Sequence, residues 1–277
     1  MIASAPDDDA EIESLLEAVE RRYGYDFRHY ARPSLRRRIR HRASSLGLQR
    51  IADLRASLLA DEHSFADFVS SIAVHVTEMF RDPAFFRALR EHVVPMLRTY
   101  PFFNVWHAGC ATGEEVYSFA IVLEEEGIYD RARIYATDLE ASALAHAREA
   151  IYPLKELRAY TESYRAAGGK GAFSDYYHSS SDWAKLDGSL GRRITFARHN
   201  LVTDAVFAET QLIVCRNVLI YFDRTLQERA VALFHESLCP GGFLGLGSQE
   251  TLRFLPSAAR FDTTRETERI YRKRSRA

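Results

Sequence analysis

The sequence predicts an α/β chain: a Rossmann-like, doubly wound sheet with an N-terminal all-helical domain before it and a small antiparallel β insertion within it. Three features predict this. Residues 11–99 carry apolar side chains at helical spacing only. From residue 102 short apolar runs alternate with helical stretches, as parallel strands joined by crossover helices do. Between residues 151 and 194 the alternation lapses. The expected division is therefore a basic helical domain with its linker over 1–90 and a Rossmann-like domain over 91–277, with the insertion at 151–195.

The helices expected in the first domain cover 11–22, 33–46, 51–60, 63–74 and 83–98. Ser64 and Asp82 suit N-caps, and Pro33 and Pro83 suit first-turn positions. Strands follow at 103–106, 133–137, 212–215 and 243–246, with helices over 116–126, 141–150 and 226–238. Pro240-Gly241-Gly242 reads as a breaker between the last helix and its strand. In the insertion, Gly168-Gly169-Lys170-Gly171 reads as a flexible turn and Asp187-Gly188 as a hairpin turn, giving a β-hairpin or three-strand flap.

A chain of 277 residues can bury one large core, or one core with an appended module. The net charge of −1 supplies no overall field toward nucleic acid or a membrane surface. Locally the charges separate. Residues 21–55 hold eleven arginines against Asp26 and Asp53, whereas the first twenty residues hold Asp7, Asp8, Asp9, Glu11, Glu13, Glu17 and Glu20. The three cysteines, Cys110, Cys215 and Cys239, lack CxxC spacing and each adjoins an apolar run, so a reduced core is expected, without a disulfide framework or zinc site. No apolar stretch resembles a signal peptide or a membrane span, which predicts a soluble, cytoplasmic protein.

The segment HAGCATGEEVYSFA at 107–120 reads as a strand turning through glycines into a helix. Gly109 and Gly113 allow a tight turn and close approach of a ligand to the backbone. A dinucleotide would need G-x-G-x-x-G and would set its pyrophosphate on the helix N-terminus. Here that helix opens with Glu114-Glu115, which would repel phosphates. S-adenosylmethionine (SAM) fits better, being an adenosine with a sulfonium and an ammonium but no phosphate. Asp138, at the end of the next strand, is placed to hold ribose hydroxyls. Simpler roles exist for these acids: Glu114 and Glu115 would favour the helix dipole, and Asp138 could cap the following helix. Asn200 could meet an adenine edge after the third strand. Polar groups from Arg216 to Asp223 follow the fourth strand, at the carboxyl end of the sheet where such folds bind ligands. That stretch is not the Asn/Asp-Pro-Pro-Tyr turn that positions a nitrogen for methylation, which favours an oxygen acceptor.

These motifs resemble one family, the CheR-type chemoreceptor glutamate O-methyltransferases of bacterial chemotaxis. The matching pieces are Thr77-Glu-Met-Phe-Arg81-Asp82, residues 106–118, Ala136-Thr-Asp138, His199-Asn200-Leu201, CRNVLIYFD at 215–223 and LCPGGFLGLGSQE at 238–250. Together they span about residues 15–273. The resemblance implies a SAM-dependent methyltransferase fold, with methyl transfer to glutamate carboxylates of chemoreceptors and S-adenosylhomocysteine as by-product. It implies that Thr77 and Arg81 lie over the methionine end of SAM, with His75 and Gly109 also among the cofactor-binding residues. Glu115 would take the amino group, or other polar atoms at that end, and Asp138 the ribose. Asn200 and Leu201 would flank adenine, and Arg216, Asn217 and Val218 would line the pocket, with Tyr221 near the methyl. Three positions depart from the family: His75 stands where Asn is more common, Met79 replaces Phe, and Val116 replaces Pro.

A glutamate side chain is already ionised at neutral pH, so no strong base is required, and none is evident near these motifs. Arg81 and Tyr221 are the expected catalytic pair, Arg81 orienting the incoming carboxylate and Tyr221 hydrogen bonding at the reacting end. On the helix from Pro33, Leu35, Ile39, Ala43 and Leu46 form an apolar stripe, with Arg37, Arg40 and His41 opposite and Arg36 flanking. Such a run is often only a solvated face. The resemblance instead implies that Arg36, Arg37 and Arg40 dock on acidic receptor helices. Nucleic acid is not expected as a partner, because basic residues do not extend along the chain and no aromatic platform is evident. The same resemblance implies that the insertion is the family's β-subdomain, which in some members grips a receptor C-terminal peptide. Tyr176, Tyr177 and Trp183 could form a peptide face, but are read here as the flap's own core. Two other functions remain compatible with the sequence: transfer to another protein or small carboxylic acid, and a SAM-sensing receptor-binding regulator with little turnover.

Overall fold

The structure, a computed structural model, describes residues 7–72 and 77–275. They form two compact units, one drawn from Met1–Val74 and Ile220–Gln227, the other from His75–Leu219 and Glu228–Ala277.

The first unit contains α1 (Asp7–Tyr23), α2 (Arg32–Ser45), α3 (Ile51–Ala60) and α4 (Glu62–Ile72). Its core is built by Ile12, Leu15, Leu16 and Val19 of α1, Leu35, Ile39 and Ala43 of α2, Leu54 and Leu58 of α3, and Phe65 and Phe68 of α4. The expected stripe on α2 stops at Ala43, because the helix ends at Ser45 and Leu46, at the C-cap, is 44% exposed. The α4 cap is Asp61 rather than Ser64: its carboxylate accepts from the backbone N–H groups of His63 (3.2 Å) and Ser64 (2.8 Å). The split of charge between acidic α1 and the arginine-rich segment resolves into ion pairs. Arg32 meets Glu13, Arg28 meets Glu20, Arg36 lies 2.9 Å from Asp9 and Arg50 lies 3.0 Å from Glu11. These side chains are partly exposed, so each pair contributes a few tenths of a kcal/mol to about 1 kcal/mol.

Residues Ile220–Gln227 belong to this unit through backbone pairing. Ala31 N–H donates to Tyr221 O (2.7 Å) and Asp223 N–H to His29 O (2.8 Å). The Arg38 guanidinium sits over the Tyr221 ring, 5.4 Å from its centroid.

The second unit opens with α5 (Pro83–Ala88), a π-helical turn (Leu89–Val93) and α6 (Val94–Leu97). A single helix was expected over 83–98. Pro95 has no N–H to give to the preceding turn, and the helix widens just before it. The seven-stranded sheet follows from β1 (Phe103–Ala108), β2 (Ala132–Asp138), β6 (Ile194–Arg198), β7 (Thr210–Cys215), β8 (Leu238–Leu246), β9 (Phe261–Arg265) and β10 (Ile270–Lys273), in the order β6-β2-β1-β7-β8-β10-β9. The first five strands are mutually parallel, and β10 runs antiparallel to β8 and β9. The order reverses at β1, so the carboxyl ends of β1, β2 and β7 flank the switch point where such sheets bind ligands. Helices α7 (Glu114–Glu125), α8 (Ala141–Glu149) and α10 (Arg224–Ser237) are the crossovers.

Pro240-Gly241-Gly242 does not precede a strand but lies inside β8. Thr210 pairs with Leu238 and Leu212 with Phe243, so the run forms a bulge, with Gly241 at φ 77°. The hairpin β9–β10 had no counterpart among the expected strands.

The insertion is the three-strand alternative. β3 (Ile151–Pro153), β5 (Trp183–Leu186) and β4 (Tyr177–Ser180) form an antiparallel sheet in the order β3-β5-β4, joined to α9 (Leu157–Ala166). The hairpin turns at Ser181-Asp182, between the Ser180–Trp183 pair, not at Asp187-Gly188. Asp187 instead accepts from Ser189 N–H and opens a 3₁₀ turn. The glycine run is tight: a Cβ on Gly169 would lie 2.3 Å from the Tyr164 ring. Glu125 accepts from the Tyr164 hydroxyl (2.5 Å) and Lys170 N–H (2.8 Å), and pairs with Arg90. Tyr176 and Tyr177 pack on the core, but Trp183 is 54% exposed and is no part of it.

Candidate active site

The glycine loop at the end of β1 is fastened to both neighbouring strands. Gly109 adopts φ 75°, and a Cβ there would lie 2.4 Å from Val218 Cγ2, so glycine alone lets the loops after β1 and β7 close on one another. The N–H groups of Gly109 and Cys110 donate to Thr137 O at 2.8 and 2.9 Å. Ala111, also left-handed, donates its N–H to Asp138 Oδ2 at 2.8 Å. The Asp138 carboxylate thus organises the loop, and it accepts from Glu140 N–H at 3.0 Å as well. It does not cap α8, whose N-cap is Glu140. His199 N–H donates to Asp138 O (3.1 Å), which brings Asn200 and buried Leu201 to the same strand end. Asn200 shapes its own turn, accepting from Val202 N–H at 2.9 Å.

The two glutamates that open α7 differ. Glu114 is buried and accepts from Thr112 Oγ1 at 2.7 Å. Burial pushes its carboxyl up to about 7, against the pull of that hydrogen bond. Burial also works against ionised Glu115, but Arg216 and His107 more than offset it and hold that carboxyl below its ordinary range. Arg216 Nη1 lies 2.7 Å from Glu115 Oε2. The same guanidinium donates to Asp82 Oδ2 (2.5 Å) and Arg81 O (3.2 Å), and stacks 4.3 Å from the Phe85 ring centroid. Asp82, expected as an N-cap, makes no side-chain cap to α5. Its carboxylate is committed to Arg216 instead.

Arg216 therefore joins the segment at 77–82 to the mouth of α7. A second tie is Phe80 N–H to Ser118 Oγ at 2.8 Å. Phe80 and Asp82, on either side of Arg81, both have φ 56°, a left-handed conformation that non-glycine residues rarely adopt. The loop after β7 has an anchor of its own. Glu250 accepts from the N–H groups of Gly247 (2.6 Å), Val218 (2.9 Å) and Asn217 (3.1 Å).

The second unit thus gathers Arg81 (through its carbonyl), Gly109, Glu115, Asp138, Asn200, Leu201, Arg216, Asn217 and Val218 around the carboxyl ends of its strands. Thr77 is half-buried in the segment leading to Arg81, and His75 lies outside the described residues. Tyr221 and the arginines 36, 37 and 40 belong to the helical unit. His107, Ser118 and Glu250 were assigned no role from the sequence, and Asp82 only that of an N-cap, although Asp82 and Glu250 end two of the matching motifs. What singles them out is three-dimensional: each holds a partner more than 20 residues away or, for His107, faces one across the strand–helix packing.

The donor set suits a cation. Glu115 and Asp82 share the Arg216 guanidinium, while Glu114 and Asp138 add two more acids at the same loop and strand ends, an arrangement hostile to phosphate. Two family models match the chain: the CheR methyltransferase SAM binding domain over residues 75–270 and the CheR methyltransferase all-alpha domain over residues 10–73. The chain belongs to the CheR methyltransferase family. A Pseudomonas putida protein bearing the methyltransferase name Cher3 is 48% identical over 265 residues, covering 96% of this chain and 97% of that one. The chemotaxis protein methyltransferase of Listeria monocytogenes is 30% identical, with 84% and 87% covered. That of Escherichia coli is 28% identical, with 89% and 86% covered. The similarity therefore includes the helical unit as well as the SAM-binding one. As a CheR methyltransferase, the protein is a SAM-dependent enzyme. Among the described residues no helix is long and apolar enough to cross a membrane.

Proposed function

We propose that the protein transfers the methyl group of SAM to glutamate side chains of bacterial chemoreceptors, giving glutamate methyl esters and S-adenosylhomocysteine. The observation that carries this reading is the pairing of both CheR domains in one chain, an all-alpha domain ahead of the SAM-binding domain, with similarity over 86–87% of the length of relatives named as chemotaxis protein methyltransferases.

The bound cofactor supplies an electrophilic methyl on a positively charged sulfur. The carboxylate oxygen forms the new C–O bond as the C–S bond breaks, and no proton moves. The chain's task is alignment to about 3 Å. Glu115 takes the cofactor's ammonium, Asp138 its ribose, and Asn200 and Leu201 flank its base. Thr77, Gly109, Asn217 and Val218 complete the pocket wall, with Arg216 fixing Glu115. Arg81 orients the incoming carboxylate and Tyr221 supports the reacting end. Cytoplasmic receptor helices with acidic faces are the partners, approached by Arg37 and Arg40, with Arg36 divided between this role and Asp9.

Peptide mapping of receptor incubated with enzyme and SAM tests this. One added methylene on specific glutamates is the expected result. Methylene on another residue type, or on none while a different protein is labelled, would refute it.

A further inference from the structure

His107 lies in the middle of the sheet, 1% exposed, on the strand that feeds the glycine loop. Among the described residues neither ring nitrogen has a hydrogen-bond partner. An apolar side chain would sit there at lower cost, so a buried imidazole that makes no hydrogen bond needs a reason. Its ring packs under the first turns of α7, 5.4 Å from the Phe119 ring, with Nδ1 3.5 Å from Glu115 Oε1. Arg216 occupies the other oxygen, Oε2, at 2.7 Å. The two carboxylate oxygens are thus divided between a made contact and one just beyond hydrogen-bond length.

We propose that His107 is a positioning residue for the cofactor: in the loaded enzyme its Nδ1–H donates to Glu115 Oε1, fixing the carboxylate that receives the ammonium. This rests on the reading that Glu115 takes that ammonium. The tautomer follows from the surroundings. A bare Nδ1 would set its lone pair against a carboxylate, whereas Nδ1–H is attracted to it, and bare Nε2 remains in the apolar interior. With Arg216 on one oxygen and His107 on the other, the Glu115 side chain cannot rotate away from the mouth of α7.

The test is S-adenosylhomocysteine affinity by calorimetry, together with melting temperature, for wild type, His107→Phe, His107→Asn and Glu115→Gln. Phenylalanine keeps the ring and removes the donor, while asparagine keeps a donor near the Nδ1 position but packs poorly. His107→Phe is expected to match or exceed the wild-type melting temperature while binding about tenfold more weakly. His107→Asn should melt lower yet bind within about threefold of wild type. A purely structural histidine predicts the reverse order, with Phe binding normally, and that result would overturn the proposal. Glu115→Gln separates the two layers: undiminished affinity there would remove the reading of Glu115 itself. On the wild-type protein, ring ¹⁵N spectra with S-adenosylhomocysteine bound should show His107 protonated at Nδ1 and bare at Nε2. The opposite tautomer would overturn the proposal without any variant.

Discussion

Arg216 and Glu115 meet at 2.7 Å across the mouth of α7, and the arginine side chain is only 1% exposed. Its other terminal nitrogen reaches Asp82 at 2.5 Å. Two motifs more than 100 residues apart, CRNVLIYFD and GEEVYS, are thereby held to a third, TEMFRD.

Removing that guanidinium leaves two carboxylates facing each other with no counter-charge. Arg216→Ala should destabilise the protein by on the order of 3 kcal/mol in urea titration and abolish measurable S-adenosylhomocysteine binding. Arg216→Lys, a point charge in place of a fork, should restore less than half of the stability. A loss below about 1 kcal/mol would show the network to be incidental.

The loops after β1 and β7 depend on the missing side chain at Gly109. Gly109→Ala brings a Cβ to within 2.4 Å of Val218 Cγ2 and strains a left-handed backbone. A stability loss of roughly 2 kcal/mol is expected, with weakened cofactor affinity. Trimming Val218 to Ala in the same chain should restore part of the affinity but not the backbone cost, as thermal melts and calorimetry would show.

Glu114 makes stability pH-dependent in a defined direction. Its folded value of about 7 lies above the ordinary 4.5, so the native state favours the protonated carboxyl. The stability that this carboxyl contributes is therefore full below about pH 4.5, falls as pH rises toward 7, and levels off beyond it. Glu114→Gln mimics the protonated form. Its stability relative to wild type should improve by roughly 2–3 kcal/mol between pH 5 and pH 8, at about 1.4 kcal/mol per pH unit. A constant difference across that range would contradict the assignment.

Arg81→Ala should reduce kcat/KM for receptor at least about a hundredfold, on the scale of a lost transition-state contact, while S-adenosylhomocysteine affinity changes less than threefold. Equal losses in both would mean that the residue serves the cofactor alone.

Charge reversal at Arg37 and Arg40 together should weaken transfer to receptor most strongly at low salt and leave SAM affinity unchanged. Arg36→Glu should add to this effect and also break the pair that Arg36 makes with Asp9 at 2.9 Å. If SAM affinity falls in step, these arginines are structural.

Much of this fold was legible because its elements are locally determined. Alternating apolar runs placed the strands β1, β2, β7 and part of β8, and Gly109 marked the loop that meets Val218. What escaped depends on longer range. α9 buries Leu157, Tyr160 and Tyr164, but its polar flanks masked the pattern. β9 and β10 are short and gain their pairing from β8. The bulge in β8 looks like a turn when only Pro240-Gly241-Gly242 is considered. At the site, Glu115 and Asp138 could be proposed as ligand-facing acids from their position after a strand. The roles of Glu250 and Asp82 could not, since each is defined by partners in distant segments. The arginines of α2 looked like one basic face until α1 supplied Asp9 and Glu13.

The most direct measurement mixes the protein with methyl-labelled SAM and membranes bearing the host's chemoreceptors, then treats the labelled receptor band with base. Carboxyl methyl esters predict release of the label as volatile methanol, at a rate at least about a hundredfold lower from the Arg81→Ala enzyme. Label that stays on the protein through base treatment would contradict glutamate O-methylation and assign another acceptor atom.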